Sequence, residues 1–258
     1  MGDYYIEQGY AVVADDSPSS HHFGGEPSHD GATCPVCKIP LLLLADLDCA
    51  ELQKLEKAKL FHNLDRLPFY YCWKCCAEKL SYQVRGSSIQ IFKNDGSPEG
   101  DDFPYAGFPA KFPKRPVKLT PVPYETAKLL AVAQEIGEYW LSEPDKKAIQ
   151  EGLGNLRHSH FAKSCLVRHQ MGGLLYLIQG HDYLKCPNPD CKHHRLAMQG
   201  FGVRMKELAV LHNDPYSGLP MCERLEEISR PSDWNPFVQI VYWVCEECLT
   251  ITTSNRCD

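Results

Sequence analysis

Eight cysteines stand in four pairs: Cys34-Pro35-Val36-Cys37, Cys72-Trp73-Lys74-Cys75, Cys186 with Cys191, and Cys245-Glu246-Glu247-Cys248. A Cys-x-x-Cys pair turns on one tight backbone knuckle and aims two thiolates at a single ion, and two knuckles complete the four tetrahedral ligands that zinc favours. Pairing within each half of the chain groups Cys34, Cys37, Cys72 and Cys75 as one site and Cys186, Cys191, Cys245 and Cys248 as the other. Two structural Zn2+ ions are expected, each closed by four protein ligands with no position for a catalytic water. Tetrahedral thiolate sites suit iron as well, and buried free thiols or disulfides are the alternatives to a metal. Four residues separate Cys186 from Cys191, which leaves room for His193 or His194 to replace a cysteine there. Cys76 adjoins Cys75 but breaks the spacing. Cys49, Cys165, Cys222 and Cys257 have no partner in sequence and read as core or surface thiols, with Cys257 close in sequence to the second site.

Other residue types that can do chemistry are weaker candidates. Gly24-Gly25 and Gly172-Gly173 could cradle a phosphate, but neither sits in a full dinucleotide or Walker pattern, so both read as turns. His169 precedes the second Gly-Gly pair without a nucleophile or carboxylate at motif spacing, and no catalytic residue is assigned. His21, His22 and His29 read as a loop.

These groups need elements to hold them. Tyr4 to Ala14 and Ile39 to Leu47 have strand composition, and Ala50 to Leu60 has helical spacing. Phe69-Tyr70-Tyr71 and Val241-Tyr242-Trp243-Val244 are aromatic strands that run into a cysteine knuckle and belong in a core. Between Asn94 and Pro123 the crowding of Gly, Pro and Phe predicts a long surface excursion, in which Phe103 to Pro109 folds back on the body. Tyr124 to Leu141 is a helix, because Leu129, Val132, Ala133, Ile136 and Trp140 line one face, and Asp145 to Leu156 is a second, shorter one.

Each half therefore reads Gly-Gly, a Cys-Pro knuckle, a strand, an intervening segment, and an aromatic strand ending in Cys-x-x-Cys, which implies two copies of one supersecondary unit. The expected fold class is α+β: duplicated strand-rich halves, each with a structural zinc knuckle pair, bridged by a helix. Residues 1–120 form the first zinc-containing pseudo-repeat, 121–160 the helical bridge and 161–258 the second zinc-containing pseudo-repeat.

With 258 residues and 43% hydrophobic content the chain can fill a core. Its formal charge is -6 and no basic run stands out, so nucleic acid is not expected as a main partner. Acidic patches at Asp15-Asp16, Glu99 to Asp102 and Glu223 to Glu227 suit a basic protein client. The start at Met1-Gly2-Asp3 lacks the basic and apolar regions of a secretory signal, and no apolar run nears the roughly 20 residues of a membrane span. A cytoplasmic protein is expected, in which thirteen cysteines serve a metal framework and not disulfides.

The series Phe23-Gly24-Gly25-Glu26-Pro27, the strand Leu41 to Leu47, and His169-Gln170-Met171-Gly172-Gly173 leading to Leu177-Ile178-Gln179 resembles the bacterial YwqG-like family. That resemblance implies a mixed, strand-rich duplicated fold and, through members encoded beside toxins, an immunity role. The cysteine knuckles, together with Asp233-Trp234 and Val238 to Cys248, resemble the programmed cell death protein 2 family, whose relatives chaperone a ribosomal protein. The YwqG-like members generally lack these cysteines. The expected function is a non-enzymatic, zinc-stabilised protein-binding module, either a toxin-immunity protein or a dedicated chaperone of a basic client. A hydrolase with a cleft centred on His169 is the third reading.

Overall fold

The computed structural model describes residues 8–55, 58–75, 79–97, 111–123, 147, 169–177, 179–213 and 238–257. Eleven strands run through them: β1 (Tyr10–Ala14), β2 (His21–Phe23), β3 (Leu42–Asp48), β4 (Arg66–Tyr71), β5 (Leu80–Arg85), β6 (Ser88–Asn94), β7 (Arg115–Pro121), β8 (Gln170–Met171), β9 (Lys206–Asn213), β10 (Val238–Val244) and β11 (Ile251–Cys257). Two short α-helices accompany them, α1 (Cys49–Leu52) and α2 (Lys192–Met198), with a single 3₁₀ turn at Ala58–Phe61.

All eleven strands belong to one sheet, in the order β4-β3-β2-β7-β1-β8-β9-β10-β11-β5-β6. Every strand pair is antiparallel. The order is symmetrical about the central β7–β1 pair: β2, β3 and β4 extend to one side as β8, β9 and β10 extend to the other. The leading strands are exchanged. β1 precedes β2 in the chain but pairs with β8, while β7 precedes β8 but pairs with β2.

This arrangement overturns the α+β class of two strand-rich halves joined by a helix. The described residues are mostly strand, in a single curled sheet, because the exchanged strands and the β11–β5 pairing join first-half and second-half residues into one hydrogen-bonded ladder. The segment expected to form the bridge, 124–141, lies outside the described residues, as do 98–110 and, apart from Lys147, 145–156. Among the described residues no helix is long and apolar enough to cross a membrane.

The curl brings the two ends of the sheet together. The Tyr82 hydroxyl of β5 accepts from the Tyr70 N–H at 3.0 Å and donates to the Pro68 carbonyl at 2.8 Å, satisfying the free edge of β4 without a ladder. Phe69 of β4 meets Tyr242 of β10 with ring centroids 4.6 Å apart. The two-residue period of a strand splits β10 between two cores. Ile240, Tyr242 and Val244 enter the main cluster, with Cys34, Cys72 and Cys75, while Val241 and Trp243 enter a smaller cluster with Cys186, Cys191 and Cys245.

Three local expectations change. His21 and His22 are buried strand residues, not a loop: His21 Nδ1 accepts the Asp48 N–H at 3.0 Å and His22 Nδ1 lies 2.8 Å from the Gly24 carbonyl oxygen. The helix placed over Ala50 to Leu60 is only one turn at Cys49–Leu52, capped by the Asp48 carboxylate on the N–H groups of Ala50 and Glu51. Within the expected surface excursion, Arg115–Pro121 is a central strand despite its prolines; Val117 points into the core and the Pro116 carbonyl accepts the Asp15 N–H at 3.0 Å.

Candidate metal centres

Cys34 and Cys37 occupy a turn between β2 and β3, and Cys245 and Cys248 occupy the β10–β11 hairpin. Both turns have the same backbone. The Lys38 N–H donates to the Cys34 carbonyl at 3.0 Å and the Cys34 N–H to the Ile39 carbonyl at 2.9 Å; correspondingly, Leu249 donates to Cys245 at 2.8 Å and Cys245 to Thr250 at 2.9 Å. Among the described residues, Lys38 (φ 64°) and Leu249 (φ 58°) are the non-glycine positions with positive φ, and each directly follows the second cysteine of its turn. A left-handed conformation costs a residue with a side chain roughly 1–2 kcal/mol. It persists where the surroundings impose it, and such positions cluster at functional sites.

The remaining ligand arms differ. Cys72 and Cys75 follow β4 directly, on the chain that crosses from one end of the sheet at β4 to the other at β5. Cys186 and Cys191 lie between β8 and β9, where the buried Asn188 folds the longer spacing: its side chain accepts from Asp190 N at 3.0 Å and its carbonyl from Cys191 N at 3.1 Å.

The structure brings the eight cysteines into the two groups of four expected from their spacing. In each group the ligand sulfurs lie within 4.8 Å of one another, an arrangement that can hold a metal ion. The closest pairs are Cys34–Cys75 at 3.6 Å, Cys37–Cys72 at 3.7 Å, Cys186–Cys248 at 3.6 Å and Cys191–Cys245 at 3.7 Å. A tetrahedron of sulfurs at the usual zinc–sulfur distance has edges of about 3.8 Å. A disulfide requires about 2.05 Å, so these pairs are not disulfide bonded. His194 directs Nδ1 at the Cys186 carbonyl, 2.6 Å away, and His193 Nδ1 lies 3.6 Å from the Cys245 sulfur, outside the group of four. Neither histidine takes a cysteine's place.

Four thiols this close cannot all ionise unaided. Burial opposes charge on Cys34, yet the N–H groups of Cys37 and Val36 bring its thiol below the ordinary range. Burial and the Cys34 sulfur push Cys75 up to about 12, and burial raises Cys72 further. In the second group, hydrogen bonds from Cys186 and Cys245 lower Cys248, while those with Cys245 and Cys248 raise Cys186. In each group the thiolate form of one sulfur is thus favoured while neighbouring thiols are held protonated, and a divalent cation among the four removes that conflict.

Two supporting contacts were not legible from spacing. The Asn94 amide at the end of β6 donates to the Cys34 sulfur at 3.0 Å, and Thr250 Oγ1 lies 3.1 Å from the Cys248 sulfur. Gly96 packs so closely on Cys75 that an added Cβ would sit 2.5 Å from the cysteine Cβ, a constraint that only the Asn94-Asp95-Gly96 turn signal could have suggested. Gln83 of β5 donates its amide to the Cys248 carbonyl, linking the first half's strands to the second site. Cys49 is buried with its thiol pushed up to about 12 by burial, apart from both groups. Cys76, Cys165 and Cys222 lie outside the described residues, and Cys257 ends β11.

The two Gly-Gly pairs hold turns. Gly24 and Gly25 have φ of +58° and +98°, and Gly172 and Gly173 +65° and +67°. His169 is 4% exposed, its Nδ1 accepts the His212 N–H at 3.1 Å, and its ring packs on Phe23 at 4.8 Å. Compared with family models, with curated proteins and with solved structures, the chain finds no match.

Proposed function

We propose that this chain is a non-enzymatic protein-binding module of the cytosol whose fold is held by two structural zinc ions, and that it acts as an immunity protein by occluding a toxin. The observation that carries the structural-metal reading is the pair of four-sulfur groups, each with its closest sulfurs near a tetrahedral edge length and each joining segments far apart in sequence. Four protein ligands leave no position for a metal-bound water, which favours a scaffold over a catalyst. A groove among the described residues points the same way. Its lining includes Tyr10, Leu55, Phe61, Met171, Leu208 and Val244 with the Lys206–Glu246 ion pair, and among the described residues it has no histidine, cysteine or serine. His169, buried with its Nδ1 already occupied, counts against the hydrolase reading.

The immunity version rests on the YwqG-like resemblance around the two Gly-Gly turns. A second version, a chaperone of a basic client such as a ribosomal protein, is favoured by the net charge of -6 and by the order of the cysteine pairs. Affinity purification of the zinc-loaded chain from its own host, with partners identified at stoichiometric yield, tests both. A toxin partner supports the first version and a ribosomal protein the second. A chain that carries no protein partner and turns over a hydrolysable substrate would replace both.

A further inference from the structure

We propose that each four-cysteine group is a redox-sensitive switch, in which a hydroperoxide drives out the metal and leaves two disulfides tying the same two arms of the chain together. The proposal rests on the zinc reading and adds its regulation. Access is confined to one corner of each group: Cys37 and Cys248 are partly exposed, while the other six ligand cysteines are buried. The two hold the same place in matching turns, each being the second cysteine and preceding the residue with positive φ. Thiol oxidation follows exposure, and a sensing cysteine needs a second thiol beside it to resolve the first oxidation product. Both have one. Cys72 lies 3.7 Å from Cys37, and Cys186 lies 3.6 Å from Cys248.

In both groups the resolving sulfur belongs to the opposite arm, 35 residues away in the first and 62 in the second. The remaining sulfurs pair in the same sense, Cys34 with Cys75 at 3.6 Å and Cys191 with Cys245 at 3.7 Å. Within the first turn the Cys34 sulfur accepts the Cys37 backbone N–H at 3.4 Å. Each group is thus set out as two cross-arm pairs, whose sulfurs close to the roughly 2.05 Å of a disulfide once the ion no longer holds them apart. Disulfides within a turn would leave the arms untied when the metal left. Cross-arm disulfides keep the joins that the ion supplied.

The thiolate of Cys37 or Cys248 attacks one oxygen of the hydroperoxide, the O–O bond breaks, and the sulfur becomes a sulfenic acid as alkoxide or hydroxide departs. The neighbouring thiolate attacks that sulfur; the S–S bond forms, the S–O bond breaks and hydroxide leaves. Two electrons pass from the sulfur pair to the peroxide, and a second peroxide oxidises the remaining pair. Stripped of its four thiolates, the ion departs as Zn2+, and a dithiol reductant reverses the change. Transient, sensing disulfides are the kind that a reducing cytosol permits.

The test titrates the reduced, zinc-loaded full chain with hydrogen peroxide, reads free zinc with a chromophoric chelator, and maps disulfides by peptide mass spectrometry after alkylation. Two disulfides in each of two groups require four peroxides per chain for release of both ions. The expected map is Cys37–Cys72, Cys34–Cys75, Cys186–Cys248 and Cys191–Cys245, with circular dichroism unchanged and zinc uptake restored by dithiothreitol. At substoichiometric peroxide the disulfides should contain Cys37 or Cys248. Zinc retained under excess peroxide, disulfides within a turn such as Cys34–Cys37 or Cys245–Cys248, sulfinic acid in place of disulfides, or unfolding on oxidation would each overturn the proposal. Zinc content measured before any peroxide keeps the two claims apart: a value near zero refutes the metal reading, while the disulfide map still decides the pairing.

Discussion

Asn94 offers a test of how the first cysteine group is tuned. Its side chain makes two bonds: Oδ1 accepts the Gly96 N–H at 2.8 Å and Nδ2 donates to the Cys34 sulfur at 3.0 Å. Asn94→Asp keeps the first and turns a carboxylate oxygen toward the thiolate in place of the donor. A hydrogen bond to a charged group contributes about 1.5–3 kcal/mol. At about 1.4 kcal/mol per decade, its loss weakens metal binding roughly 10- to 150-fold, in line with the roughly 10- to 100-fold effect of removing a partner of a metal ligand. The carboxylate adds repulsion, so Asn94→Asp should exceed Asn94→Ala at neutral pH. The assay is zinc transfer to a chromophoric chelator of graded concentration. In Asn94→Asp one zinc per chain should move to lower chelator concentration while the other stays. Two ions released as in the parent chain would refute the assignment of Asn94 to the first site.

Tyr82→Phe should lower the stability of the zinc-loaded chain by about 2–5 kcal/mol in urea unfolding, because the buried Tyr70 N–H and Pro68 carbonyl both lose their partner; a loss below about 0.5 kcal/mol would contradict the closure of the sheet by this hydroxyl. Gly24→Ala should destabilise far more than Gly86→Ala. Both glycines have φ of +58°, but at Gly24 a Cβ collides with the carbonyl oxygens of Pro113 and Phe112, whereas at Gly86 it meets open space and costs only about 1–2 kcal/mol. Equal melting temperatures for the two variants would remove that argument. Burial depresses His21 and His22 below the ordinary 6.5, so the unfolded chain binds more protons in acid. Their contribution is full above pH 6.5 and declines as the pH falls toward the depressed native values. A His21→Gln, His22→Gln variant at constant zinc content should show a shallower decline, and an unchanged one would contradict it.

The cysteine groups were legible because a ligand pair separated by two residues is a local feature whose chemistry does not depend on the rest of the fold. Their supporting shell was not: Asn94 and Thr250 reach their sulfurs through tertiary placement. The aromatic strands at Phe69 and Tyr242 ended in the core as composition implied. His21 and His22 misled because a polar pair reads as loop unless its ring nitrogens have buried partners, and those come from Asp48 and Gly24. β7 was hidden by Pro116 and Pro121, since proline argues against a central strand. The duplicated order was visible along the chain, but the exchange of β1 and β7 was not, because strand partners distant in sequence leave no periodicity to read.

The central claim is that two zinc ions, one in each four-sulfur group, hold this fold. Elemental analysis of protein purified without a metal-affinity step, alongside Cys72→Ser and Cys245→Ser, tests it most directly. The account predicts two zinc per chain, falling by one in each variant with a loss of stability in both. Zinc near zero in a stably folded chain, or a content unchanged by either substitution, would contradict it.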